Sequence, residues 1–218
     1  MMKVLIRAIL LFSFGFAFAD EKYSEAEVLL FETNHLKPIK QPEVLHYTFK
    51  KQGTLEEGFE DTVKIKIDKV KPDGAKTVRT EYLTGDNTRQ FASLDQAEGN
   101  PVLMFFLERD IHEMQRLTKG HWRYFQKRIR VALADEAEVR PITFLYNGKE
   151  AQGREVKITP YVSDPQKSRF EKFVGKYYVF ALSDAVPGGV YQVKTVVPAS
   201  SGEPLVEETL TFAKEEKK

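Results

Sequence analysis

Asn100-Pro101-Val102-Leu103-Met104-Phe105-Phe106-Leu107-Glu108-Arg109-Asp110 is the stretch on which the fold turns. Asn caps a helix well, and Pro at the first helical position costs nothing because its missing N–H would have no partner there. The apolar spacing carries the helix to about Thr118, where Gly120 fits the C-terminal end. Stepped at 100° per residue, Phe106, Leu117, Leu103, Met114, Leu107, Ile111 and Met104 gather on the side of Val102. Asp110 falls inside that apolar face, between Leu103 and Met114. A second helix is predicted over His121–Leu133, with Trp122, Phe125, Ile129, Ala132 and Leu133 as its apolar stripe.

Both flanks of this helical pair read as strands. Before it, Val44–Phe49 is β-branched and aromatic, and Asp61–Val70 alternates Val63, Ile65 and Ile67 with polar residues. Pro72-Asp73-Gly74 turns the chain into a partner at Thr77–Leu83. After it, Ile142–Tyr146 leads into Asn147-Gly148, a strong hairpin signal. Strands are predicted at Arg154–Val162, at Phe170–Leu182 with a bend or bulge at Gly175, at Val190–Val197 and at Leu205–Ala213. Neither group closes a core alone, so one sheet of about seven or eight strands should contain both. Upstream, Ser24-Glu25-Ala26-Glu27 is a capping box that opens a short helix to about Thr33. Pro38 and Pro42 then predict an extended connection.

Met1–Ala19 has the three parts of a secretory signal peptide: Lys3 and Arg7, an apolar run over Ala8–Phe18, and Ala17-Phe18-Ala19 before Asp20. The expected organisation is therefore a leader over 1–19, one domain over 20–213 and a frayed charged tail over 214–218. Removing Lys3 and Arg7 subtracts two charges from the formal +1, so the remaining chain has no global pull toward nucleic acid. With no cysteine, disulfides, thiol catalysis and a Cys-based metal site are excluded, as is a lipidated cysteine. No Asn-x-Ser/Thr acceptor occurs. An exported chain of this kind fits the bacterial periplasm better than a eukaryotic secretory route.

Catalytic signatures are missing. His112-Glu113 begins a zincin-like H-E-x-x-H, but Arg116 stands where the second His is required. No G-x-S-x-G elbow, phosphate loop or dinucleotide turn is found. His35, His46, His112 and His121 are scattered, and neither a metal nor a cofactor is expected. A dispersed hydrolase site stays open as an alternative, since triads are recognised by geometry.

Two groups of residues carry the binding expectations. Asp110, with Phe106 and Met114 beside it, is either a carboxylate satisfied by a partner at the edge of the packed face or a ligand-facing acid. Glu108, Arg109, His112 and Glu113 read as pairs on the wet face of the helix. On the second helix Arg123, Lys127 and Arg130 share one side. They are either a solvated face or a patch for an anionic partner such as lipid headgroups or an acidic protein surface. The strand aromatics Phe170, Phe173, Tyr177, Tyr178, Phe180 and Tyr191 either fill the core or line a cavity for an acyl chain.

The order of elements, with Asn100–Arg109 as its centre, resembles the lipoprotein-carrier-like half-barrel superfamily and related periplasmic proteins. The resemblance implies an α+β fold: a curved, largely antiparallel sheet with the two helices packed on its concave face. It also implies a non-catalytic carrier for a lipid or lipoprotein acyl chain, or an extended envelope partner; peripheral contact with an anionic membrane surface is the expectation from Arg123, Lys127 and Arg130. An envelope protein–protein factor with no small ligand is the alternative. Nucleic acid is not an expected partner.

Overall fold

A computed structural model describes residues 23–217; the leader read at 1–19 lies outside the described residues. The chain opens with α1 (Glu25–Glu27), continued by a π-helical segment over Val28–Glu32. Both arms of the capping box form: the Ser24 hydroxyl accepts from the Glu27 N–H, and the Glu27 carboxylate accepts from the Ser24 N–H. Residues 35–38 then turn rather than extend, with the Ile39 N–H donating to the Leu36 carbonyl.

Nine strands follow: β1 (Glu43–Gln52), β2 (Phe59–Val70), β3 (Lys76–Tyr82), β4 (Leu94–Ala97), β5 (Glu138–Tyr146), β6 (Lys149–Ile158), β7 (Tyr177–Leu182), β8 (Val190–Val197) and β9 (Val206–Lys217). They form one antiparallel sheet in the order β4-β3-β2-β1-β9-β8-β7-β6-β5. β1 and β9 join the strands before the helices to those after them, as the sequence requires. Between β4 and β5 run α2 (Val102–Thr118) and α3 (Trp122–Asp135). Because β4 and β5 are the two edges, this helical pair must cross the face of the sheet to connect them.

Period-two alternation decides which face they cover. Leu45, Tyr47 and Phe49 on β1, Val63, Ile65 and Ile67 on β2, and Leu210 and Phe212 on β9 are buried. His46, Thr48 and Lys50 take the opposite side. Register shifts at His46/Tyr47, Ile67/Lys69 and Ala181/Leu182 raise the local twist and curl the sheet around its helices. The result is the curved α+β architecture expected from the sequence.

Several elements differ from their predicted form. Residues 167–169 and 171–173 are 3-10 turns, so the aromatic run from Phe170 becomes strand only at Tyr177. Its apolar content reflects burial of Phe170 and Phe173 rather than strand pairing, and Phe125 of α3 stacks edge-on against Phe170. β4 is short and largely polar, which left it without a signal. β9 continues through residues 214–217, where it pairs with β1 as far as Glu43, so these residues are strand and not a frayed tail. At the end of α2 the left-handed residue is Lys119 (φ 58°). Gly120 serves a different need, since a Cβ there would lie 2.7 Å from the Phe125 ring.

Candidate functional site

The concave side of the sheet is occupied by side chains of α2 and α3, and two buried charge clusters fix α2 there. Arg109 was expected on the wet face; it is buried instead, because it meets an acid on the sheet. Its guanidinium donates twice to the Glu208 carboxylate of β9, at 2.5 and 3.2 Å, and lies over the Phe49 ring at 4.9 Å. Burial opposes the Arg109 charge, but attraction to Glu208 and the paired hydrogen bonds more than offset it and hold its pKa above the usual range. The cluster runs outward through Lys51, which is 3.9 Å from Glu208 and 2.7 Å from Glu56, to Arg116, 2.7 Å from Glu56 and 2.8 Å from Glu113.

Asp110 belongs to the second cluster. One carboxylate oxygen accepts from Lys176 Nζ at 2.6 Å and the other from the Tyr178 hydroxyl at 2.5 Å. Burial, and then the Asp110 charge, push the Tyr178 hydroxyl well above its ordinary pKa, so it remains a donor. Phe106 and Met114, the companions of Asp110 on the sequence reading, lie beside it in the same apolar interior, at 1 % and 0 % exposure. Met104, placed on the same face by the helical wheel, is instead 49 % exposed.

A third cluster holds α3. Arg128 Nε lies 3.0 Å from Asp164, and the Tyr124 hydroxyl donates to the same carboxylate at 2.5 Å. Burial and this bond raise Tyr124 to about 12. The basic run on the second helix is thereby divided. Arg116 and Arg128 are engaged inside the fold, whereas Arg123, Lys127 and Arg130 are exposed and line one groove with Tyr23, Glu27, Gln126, Val131 and Asp135.

Sequence reasoning missed a fourth arrangement, centred on Asn100. Its side-chain amide donates to the Tyr47 hydroxyl and to the Gly188 carbonyl, both at 2.8 Å. Its side-chain oxygen accepts from the Val102 N–H, which makes it the helix cap in function, and its own N–H donates to His35 Nδ1 at 3.2 Å. The other ring nitrogen of His35 bonds the Leu29 carbonyl at 2.9 Å. One residue thus ties together the N-terminal helix, β1, the β7–β8 turn and the start of α2. Gly188 (φ +75°) permits this approach, since a Cβ there would sit 2.5 Å from Leu45 and 2.8 Å from the Asn100 amide.

Immediately outside Asn100, an apolar groove of about 550 Å³ opens at the β4 edge of the sheet. Leu30, Phe31, Leu94, Ala97, Pro101 and Met104 form half of its lining, and Ser93, Asp95, Gln96, Glu98, Gly99 and Asn100 the other half. Phe31 and Met104 are two of the large apolar side chains that the fold leaves exposed.

No family model and no curated protein matches this chain. Among solved structures it is similar to the Mycobacterium tuberculosis lipoprotein LppX, with 11% identity, 89% of this chain and 98% of that chain covered, and a TM-score of 0.38. It is similar to LprF from Mycobacterium bovis at 10% identity, 88% and 93% coverage and a TM-score of 0.33. It is also similar to a LolA superfamily protein from Nitrosomonas europaea at 7% identity, 88% and 93% coverage and a TM-score of 0.25. At TM-scores this low the likenesses carry no part of the functional reading, which rests on the side chains above.

The histidines stay apart. His46 pairs with Glu216 at 3.1 Å, His35 is tied to Asn100, and His112 and His121 flank the Trp122 ring. No cluster of three metal-ligating side chains forms among the described residues.

Proposed function

We propose that this chain is an exported, non-catalytic binding protein of the cell envelope that takes an acyl chain in the groove at the β4 edge. The groove carries the reading. Its volume lies within the range of small-molecule sites, and most of its exposed lining surface is apolar, although Ser93, Asp95, Gln96 and Glu98 also line it. Phe31 and Met104 stay exposed there although each would gain by burial, which is how an unfilled apolar contact looks. The β4 backbone edge beside them has no further strand to pair with in this sheet.

Phe106, Asp110 and Met114 lie on the packed side of α2, outside the groove lining. A chain longer than the groove reaches them only if α2 parts from the sheet, and the Arg109–Glu208 and Asp110–Lys176 pairs set the cost of that movement.

Native mass spectrometry of the protein purified from the envelope fraction tests the reading. The expected spectrum carries an adduct of lipid mass that extraction with organic solvent releases. Phe31→Ser and Met104→Ser, both at exposed positions, should reduce the adduct without lowering the melting temperature. Protein that is lipid-free as isolated, and that takes up no fluorescent fatty acid, would sink the proposal.

A further inference from the structure

We infer that the Arg123/Lys127/Arg130 face of α3, together with exposed apolar residues of the N-terminal helix, is a docking surface for a bilayer rich in anionic phospholipid. This goes beyond the acyl-chain reading and does not depend on it. The first observation is electrostatic. Arg123, Lys127 and Arg130 stand at i, i+4 and i+7, so they form one stripe about 10 Å long on the exposed side of α3. Other cations of this region are consumed: Arg116 by Glu56 and Glu113, Arg128 by Asp164. Among the described residues no carboxylate lies within ion-pair distance of Arg123, Lys127 or Arg130. Two acids face the same groove. Glu27 is held by the Ser24 N–H in the capping box, and Asp135 ends α3. Three free cations against these leave the stripe complementary to phosphate headgroups.

The second observation is apolar and lies next door. The N-terminal helix packs on α3, with the Ser24 hydroxyl donating to the Leu133 carbonyl and Ala26 buried. Val28 and Phe31 in this segment, and Tyr23 just before it, are exposed. Tyr23 lines the basic groove itself, and Phe31 lines the apolar groove at the β4 edge. A basic helix face flanked by exposed aromatic and aliphatic side chains is the composition of an interfacial membrane contact: the cations meet the headgroups and the rings enter the headgroup–acyl boundary.

Trp122, the single tryptophan of the chain, reports on this face because Arg123 stacks on it at 5.1 Å. The purified exported protein is titrated with vesicles of phosphatidylglycerol and phosphatidylethanolamine, and separately with phosphatidylcholine vesicles. Co-sedimentation and a Trp122 blue shift are expected with the anionic vesicles alone, and both should disappear in high salt. Each cation near an anionic surface contributes roughly fivefold to binding, so Arg123→Ala/Lys127→Ala/Arg130→Ala should weaken it about a hundredfold with an unchanged melting temperature. Removing Lys50, Lys149 and Lys214, which are exposed elsewhere, should leave binding near that of the parent chain. Equal binding to neutral vesicles, an unaffected triple variant, or equal loss in the control variant overturns the assignment. So does a chain that ignores vesicles yet crosslinks through this face to an acidic protein. A lipid-free interior with intact vesicle binding would defeat the acyl-chain proposal and leave this one standing.

Discussion

Arg109 and Asp110 are neighbours in the chain and bind different strands: Arg109 grips Glu208 on β9, and Asp110 grips Lys176 and Tyr178 at the start of β7. Successive helical residues point about 100° apart, so two adjacent charges reach two separate parts of the sheet. α2 is thereby fixed in rotation as well as in position.

Glu208→Gln leaves the Arg109 guanidinium buried without its counter-charge. The expected loss in urea denaturation is about 3–5 kcal/mol, the range for breaking one side of a buried ion pair. Replacing both partners, Arg109→Met with Glu208→Leu, should recover most of it. A single variant that costs nothing would show that the pair does not form.

Tyr178→Phe removes one of the two donors to Asp110 while keeping the ring in the core. A hydrogen bond to a charged acceptor is worth about 1.5–3 kcal/mol, and a loss of that size is expected at neutral pH. Asp110→Asn should cost more, since it also strands the Lys176 ammonium. A double-mutant cycle between positions 110 and 176 should give a clear coupling energy.

Two acid-side windows of stability should separate. Burial drives the His35 pKa below its ordinary 6.5, with the Leu29 carbonyl only partly restoring it. The unfolded chain then binds a proton that the folded chain refuses, so stability falls as pH drops below about 6.5 toward the folded-state value. Glu56 is held down to about 2, chiefly by the Arg116 hydrogen bond and then by Lys51. Its contribution is complete above the ordinary carboxyl pKa and fades as pH falls from about 4.5 to about 2. Denaturation midpoints measured across pH 2–8 should show both steps, with the upper one missing in His35→Asn.

Gly188→Ala and Gly74→Ala both place a Cβ at positive φ, but only Gly188 faces close neighbours. About 1–3 kcal/mol of backbone strain applies to each. The Gly188 variant should lose more, because Leu45 and Asn100 must also give way. Equal thermal shifts would argue against the tight contact at Asn100.

Much of this architecture was legible. The Asn-Pro start, the apolar spacing of α2, the Val63–Ile67 alternation and the Asn147-Gly148 turn (φ 50° and 73°) each act through local geometry. The partners of α2 were not legible, because Lys176 and Glu208 are 66 and 99 residues from the side chains they bind. One signal was present. In β9 the inward positions run Val206, Glu208, Leu210, Phe212, and an acid in that row demands a buried cation. Lys51, in line with Tyr47 and Phe49, is the matching clue on β1. Lys176 stands in line with Tyr178, Phe180 and Leu182 within the strand predicted over Phe170–Leu182, so it is a third clue of the same kind. The candidate binding residues split for a similar reason: α3's basic side is a property of one helix, whereas the apolar groove joins residues 30–31 to 93–104, a meeting that only the folded chain displays.

β1 and β9 are hydrogen-bonded partners at the middle of the sheet, although one is the first strand made and the other the last. A chain appearing N-terminus first therefore holds two unjoined half-sheets until its closing segment arrives. Such distant pairing is slow to nucleate. A polypeptide wired in this way completes its sheet only when its last strand pairs with its first.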